Sequence, residues 1–157
     1  MICSLAEAQA FREDARRRGV QVAVANGAFD LFHVGHLRYL EAAKAATLGG
    51  FLIVGVNTDA SVRASKGPRR PVIPERERAE IVDALRCVDR VVLFAEPTAA
   101  ELLIALQPDL HVKGTDYASE TVPERELVAR FGGRTLVAGD PKDHSTTDLI
   151  ARLKNLL

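Results

Sequence analysis

The 157-residue sequence predicts an α/β fold, a parallel sheet with helices on both faces. Three observations point there. Short apolar runs alternate with helix-length, charged segments along the whole chain. The runs, such as Phe51-Leu52-Ile53-Val54-Gly55-Val56, are apolar throughout rather than alternating, as strands covered on both faces must be. Gly and Pro punctuate the segments at their ends, where helices and strands stop.

Each element follows from local chemistry. Ser4 with Glu7 three residues on forms a capping box, and that helix runs to Arg18 before Gly19. Val20 to Ala25 is the first strand, and Asn26 to Asp30 the loop after it. A helix from about Val34 to Leu48 ends at Gly49-Gly50, and Phe51 to Val56 is the second strand. Lys66-Gly67-Pro68-Arg69-Arg70-Pro71 reads as loop, because two prolines and a glycine exclude regular structure. Pro74 opens a helix over Glu75 to Leu85, and Arg90 to Phe94 is the third strand. Thr98 caps a helix to Leu106, Asp109 to Lys113 is the fourth strand, and Gly114 to Tyr117 its exit loop. A helix from Pro123 to Phe131 stops at Gly132-Gly133, Arg134 to Ala138 is the fifth strand, and Ser145-Thr146-Thr147-Asp148 caps a last helix, Leu149 to Leu156.

Right-handed crossovers arrange five such strands as a Rossmann-like doubly wound sheet in the order 3-2-1-4-5. Ligands bind such sheets at the carboxyl ends of the strands, so the loops after strands one and four should be neighbours. No linker, internal repeat or low-complexity stretch divides the chain, so residues 1–157 are expected to form one domain.

Composition narrows the function classes. Lys plus Arg equals Asp plus Glu at 21 each, which argues against a nucleic-acid binder with its basic excess. A polyanionic ligand remains compatible because Lys66, Arg69, Arg70, Arg76 and Arg78 fall in one stretch. Cys3 and Cys87 have neither disulfide nor zinc spacing and read as reduced, which fits a cytoplasmic protein. No apolar run approaches the ~20 residues of a membrane span, and the N-terminus is unlike a signal peptide.

The chemistry concentrates at His33-Val34-Gly35-His36, between the first strand and its helix. Residues three apart share a helix face, and Gly35 lets a ligand approach the backbone. Open N–H groups and the helix dipole favour phosphate there, and the imidazoles add donors. Surface histidines or a metal pair are the other readings, but no third ligand stands at a recognisable spacing, so no metal ligand is assigned. Lys66 reads as a mobile lysine closing over a triphosphate with Arg70 and Arg78 beside it, against a plain solvated charge. Ser145, Thr146 and Thr147 are a helix cap and equally a second phosphate or ribose site. Asp116 and Asp30 are either turn carboxylates or contacts to substrate hydroxyls. His111 reads as structural, and His144 as a phosphate contact beside the last helix.

These segments resemble the cytidylyltransferase-like nucleotidyltransferase superfamily through the His-x-Gly-His motif at His33 to His36. Within it the chain is similar to the bacterial heptose 1-phosphate adenylyltransferases, the nucleotidyl half of ADP-heptose synthases. That likeness rests on Asn26 to His36, Val56-Asn57-Thr58-Asp59-Ala60-Ser61-Val62, Lys66-Gly67 with Arg70-Pro71-Val72, Val112-Lys113-Gly114-Thr115-Asp116-Tyr117, and Ser145 to Ile150. The resemblance implies ATP as donor, a heptose 1-phosphate as acceptor, Mg²⁺ as helper ion, and a product used in the lipopolysaccharide inner core. It is compatible with a homodimer. It implies nucleotide contacts at Asn26, Gly27, Ala28, Phe29, His33, Gly35, His36, Gly114, Asp116, Ser145, Thr146 and Thr147, and acceptor contacts at Asp30, Lys66, Arg70 and Tyr117. His33, His36 and Lys66 would be catalytic. The sugar-kinase domain of the bifunctional enzymes is absent from this sequence, and Asp143-His144 stands where relatives often carry basic or small residues.

The expected reaction is in-line attack of the acceptor's phosphate oxygen on the α-phosphorus, with pyrophosphate leaving. A phosphate monoester has its second pKa near ~6, so the nucleophile is already anionic and no general base is assigned. The alternatives are a cytidylyltransferase acting on glycerol 3-phosphate or a related polyol phosphate, and an ATP-sensing module without turnover.

Overall fold

The computed structural model describes residues 1–118, 121–140 and 145–156. Its elements in chain order are α1 (Leu5–Arg17), β1 (Val22–Gly27), α2 (Val34–Ala45), β2 (Phe51–Asn57), α3 (Asp59–Lys66) and α4 (Glu75–Asp83), then β3 (Arg90–Phe94), α5 (Ala100–Leu106), β4 (Leu110–Lys113), α6 (Arg125–Arg130), β5 (Arg134–Val137) and α7 (Thr146–Lys154). The five strands form one parallel sheet in the order β3-β2-β1-β4-β5, as the sequence predicts.

Alternate residues of each strand feed two apolar layers, as the period of two requires. Ala23, Ala25, Leu52, Val54 and Val56 pack against Leu40 and Ala43 of α2 and Ala79 and Val82 of α4. Val22, Val24, Ile53 and Val92 face the other way, onto Ala8 and Ala15 of α1 and Leu102, Leu103 and Leu106 of α5. Ser4 caps α1 with the predicted capping box to Glu7.

Two aspartates just ahead of strands hold the amino ends of the sheet in register. Asp89 accepts from the Leu52 N–H at 2.7 Å and from Lys44 Nζ at 2.6 Å. Asp109 accepts from the Val22 N–H at 2.7 Å and from Arg12 at 3.1 Å. Each carboxylate satisfies a strand-end donor that would otherwise be orphaned.

Three local readings change. The first strand lies two residues further on than the apolar run implies. The Val20 N–H bonds back to Ala15 O, while Asn26 and Gly27 pair with Gly55 and Val56 of β2. An eight-residue helix, α3, precedes Gly67, so Lys66 is its last residue and not part of a loop. The last helix begins at Thr146, three residues earlier than read, with Ser145 as its N-cap.

The β1–β2 start is packed to backbone contact. A Cβ on Gly50 would stand 2.1 Å from Gln21 O and 3.0 Å from the Thr47 Cβ. Gly50→Ala must therefore push the start of β2 away from β1, and should cost about 2 kcal/mol or more in urea unfolding. Gly114→Ala, with nothing within 4 Å of the new Cβ, should leave the unfolding midpoint unchanged.

Candidate functional site

Sheet order dictates where a cleft opens. Chain crossovers leave β1 and β4 in opposite directions, so the loops after them splay apart at the strands' carboxyl ends. A cleft of about 750 Å³ occupies that place, within the range of small-molecule sites. Every residue named above as nucleotide- or acceptor-binding lines it, from Asn26 to Phe29 through Gly114, Asp116 and Tyr117 to Ser145, Thr146 and Thr147. His144 and Asp143 lie outside the described residues.

His33 is the N-cap of α2, with extended backbone, so the first-turn N–H groups of the helix open into the cleft lined by Gly35. The His33 and His36 rings stack at 3.8 Å with 23° between their planes. Phe29 stands edge-on to His36 at 5.4 Å, and Phe32 lies at 5.3 Å. Burial among these rings, then the neighbouring His33 and Lys66, pushes the His36 pKa down to about 3. His36 is therefore neutral at physiological pH. Its Nδ1 accepts from the His33 N–H at 3.4 Å, which leaves the proton on Nε2. His36 is thus a fixed neutral donor rather than an acid. Phe29 reaches its position through a left-handed backbone, φ 50°, and its ring lies 3.3 Å from where a Cβ on Gly27 would be. Strain of that kind persists only where the surroundings hold it.

Those surroundings centre on two buried charges. The Asp30 carboxylate, 1% exposed, accepts from the Val72 and Ile73 N–H groups at 3.0 Å and pairs with Arg70 at 2.7 Å. Burial raises its pKa, but those donors outweigh burial and hold it below the usual carboxylate range. The Asp30 carbonyl accepts from Thr146 Oγ1 at 2.8 Å, which fastens the start of α7 to the cleft. Arg78, fully buried, donates to the carbonyls of Ile73, Ala28 and Asn57 and pairs with Asp59 at 2.8 Å. It is a structural brace and not a partner of Lys66 toward phosphate. Of the basic stretch, Lys66 and Arg70 line the cleft. Lys66 is exposed at the end of α3, and partial burial followed by Arg70 lowers its pKa. The five-residue basic cluster seen in sequence is thus split between cleft, core and outer surface.

The structure adds a group that sequence reasoning did not single out. Lys113, at the end of β4, and Glu124, just before α6, are both buried and both line the cleft. Lys113 Nζ donates to Asn26 Oδ1 at 3.3 Å, lies 3.6 Å from Glu124 Oε2 and sits under the Tyr117 ring at 5.3 Å. Asn26 Oδ1 also receives His111 Nε2 at 3.3 Å, and His111 is fully buried, as its structural reading expects. The sequence signal for Lys113 is its place as last residue of an apolar strand, where ligand-facing residues sit. Glu124 carries no such signal.

Residues 24–152 match the cytidylyltransferase-like family. The chain is 50% identical over 141 residues to Bifunctional protein HldE of Syntrophotalea carbinolica, covering 90% of this chain and 28% of that one. It is 48% identical over 149 residues to Bifunctional protein HldE of Caulobacter vibrioides, covering 95% of this chain and 30% of that one. The chain thus spans under a third of the length of these relatives. Among solved structures, a lipopolysaccharide core biosynthesis protein from Thermoplasma volcanium superposes with TM-score 0.66 at 26% identity, over 79% of this chain and all of that one. A macrolide-efflux protein from Streptococcus pneumoniae shares the fold at TM-score 0.58 and 22% identity, over 82% of this chain and 50% of that one.

The histidines give a pH prediction. Burial first, and for His111 then the Lys113 charge, places the His36 and His111 pKa values at about 3, against 6.5 for an ordinary imidazole. In the unfolded chain each takes up a proton near 6.5; in the folded protein neither does until near 3. Between those values the unfolded state binds more protons, so each group's contribution to stability falls as pH falls. Histidine NMR titration should show no inflection for either ring between pH 8 and 5. An inflection near 6.5 in either one contradicts its buried, neutral state.

Proposed function

The chain belongs to the cytidylyltransferase-like family, and on that premise we propose that it transfers an adenylyl group from ATP to D-glycero-β-D-manno-heptose 1-phosphate, releasing pyrophosphate. The observation that carries this reading is the convergence on one cleft of the α2 start with its stacked His33 and neutral His36, the Lys66 ammonium and the α7 start. All are donors or positive ends, and a triphosphate is a chain of acceptors. The choice of acceptor and base rests on the heptose-type segments and on the identity to proteins named HldE.

In this reading the acceptor's phosphate oxygen attacks the α-phosphorus in line, and the bond from that phosphorus to the α,β-bridging oxygen of ATP breaks, so that this oxygen leaves on pyrophosphate. The protein's contribution is positioning and charge neutralisation. His36 Nε2–H donates to phosphate oxygens without changing protonation state, and the stacked His33 ring stands beside it. Lys66, on an exposed helix end, neutralises charge as it builds on the leaving group. Arg70 is spent mainly on Asp30, so Asp30 serves the acceptor indirectly, by aiming that guanidinium into the cleft. A Mg²⁺ ion would be carried by the nucleotide's phosphates and would supply charge neutralisation there. Among the described residues no group of three or more His, Cys, Asp or Glu is placed to hold a metal ion. Phosphate oxygens and water would supply most of its ligands, as is usual for Mg²⁺.

The test is pyrophosphate release from paired substrates. ATP with the heptose 1-phosphate should exceed CTP with glycerol 3-phosphate in kcat/KM; the reverse order would replace this reading by a cytidylyltransferase acting on a polyol phosphate. No release from any pair, with ATP still bound, would point to a nucleotide sensor. On the productive pair, His36→Ala should lower kcat by about 10²–10³, the typical loss for a donor aimed at developing charge. Lys66→Ala should slow transfer while leaving Tm nearly unchanged, since exposed changes stay within about ±0.5 kcal/mol.

A further inference from the structure

Glu124 is a buried cleft carboxylate that the mechanism above leaves unused. Its side chain is 8% exposed, yet among the described residues no hydrogen-bond donor reaches its Oε2. The nearest cation, Lys113 Nζ, stands at 3.6 Å, beyond hydrogen-bond length, and its own side chain is 10% exposed. Among the described residues the Lys113 ammonium donates one hydrogen bond, to Asn26 Oδ1 at a long 3.3 Å. An ammonium carries three donors, and among the described residues the buried Glu124 Oε2 has no hydrogen-bond donor, so both groups keep capacity for a ligand. Burying charged groups in that state costs free energy unless a partner completes them. Both line the cleft, as does the exposed Tyr117 ring, whose centroid lies 5.3 Å from the Lys113 ammonium.

A ligand that completes this pair must offer a donor and an acceptor side by side. A single phosphate offers acceptors alone and would be repelled by Glu124. An amine offers donors alone and would be repelled by Lys113. Two neighbouring hydroxyls offer both without charge. We propose that Lys113 and Glu124 form a diol subsite, in which Glu124 accepts from one hydroxyl of a vicinal diol and Lys113 donates to the next. The Tyr117 ring supplies an apolar face for the sugar carbons beside it. The inference rests on the nucleotidyltransferase reading, which brings two diol-bearing ligands into the cleft: the ribose of the nucleotide and the ring of the sugar phosphate. The chemistry is shared, and the experiment tells the two apart.

The test is direct binding, measured by calorimetry with wild type and with Glu124→Met, which keeps the size and removes the acceptor. One arm compares α,β-methylene-ATP with its 2′-deoxy and 3′-deoxy forms. The other compares mannose 1-phosphate with its 2-, 3- and 4-deoxy forms, in the presence of the ATP analogue. In wild type, loss of one recognised hydroxyl should weaken binding about tenfold or more, because it leaves a buried polar group unpaired. In Glu124→Met the full ligand should bind no better than its deoxy form. The arm in which the ratio collapses identifies the sugar. If wild type and variant discriminate equally in both arms, or wild type does not discriminate at all, the diol subsite is overturned while the nucleotidyltransferase reading stands. If wild type binds neither ATP analogue nor sugar phosphate, that reading fails first and takes the subsite with it. Should Glu124→Met lose its thermal transition, Glu124→Gln carries the same comparison: a narrowed ratio supports the subsite and an unchanged one overturns it.

Discussion

The cleft depends on the carboxylate of Asp30. It takes two backbone donors from Val72 and Ile73 and the guanidinium of Arg70, and its own carbonyl holds Thr146. One residue thereby joins three segments far apart in sequence: the exit of β1, the stretch leading to α4, and the start of α7. An ion this deeply buried is costly without partners, and removing one partner of such a pair typically costs about 3–5 kcal/mol. Arg78 plays the matching part from below, spanning Ala28, Asn57, Ile73 and Asp59. Between them, carboxylate and guanidinium hold the strained Phe29 turn and hence the His36 ring that Phe29 abuts.

That rigidity has a chemical consequence. A donor meant for a developing negative charge works best when it is already in place and cannot be lost as a proton. His36 is held between Phe29, Phe32 and His33 with its pKa driven down to about 3, so it stays neutral and is suited to donate a hydrogen bond without acting as an acid. The proposed transfer uses a nucleophile that is already ionised, and a site with fixed donors and no general base suits it. Lys66 differs in kind: exposed at the end of a short helix, it keeps the freedom to follow a ligand.

The sheet was legible because buried parallel strands leave runs such as Phe51 to Val56, and glycines mark the ends of the helices between them. The placement of the His-x-Gly-His segment at the start of α2 was legible because a glycine-containing stretch stands between an apolar strand and a helical pattern. What escaped depended on tertiary contact. Arg78 reads as a companion of Lys66 toward phosphate, yet it is fully buried because carbonyls from two loops and from the end of β2 converge on it. Asp30 reads as an open loop carboxylate, but distant N–H groups fill it. Asn26-Gly27 reads as the start of a loop, whereas pairing with Gly55 and Val56 keeps it in the strand. Helix α3 had a local signal, Thr58 accepting from the Ser61 N–H as an N-cap, overshadowed by the Gly-Pro stretch that follows. Glu124 has no sequence mark, since its meeting with Lys113, the last residue of β4, is made only by tertiary placement of the segment ahead of α6.

The central claim is that the cleft between the β1 and β4 loops holds a nucleoside triphosphate against the start of α2. The most direct measurement is a crystal structure with α,β-methylene-ATP and Mg²⁺. The account predicts phosphate oxygens within hydrogen-bond distance of His36 Nε2 and of first-turn amides of α2, with Lys66 drawn toward them. A triphosphate bound elsewhere, such as the shallow depression lined by Arg63 and Arg76, with the α2 start unchanged, would contradict it.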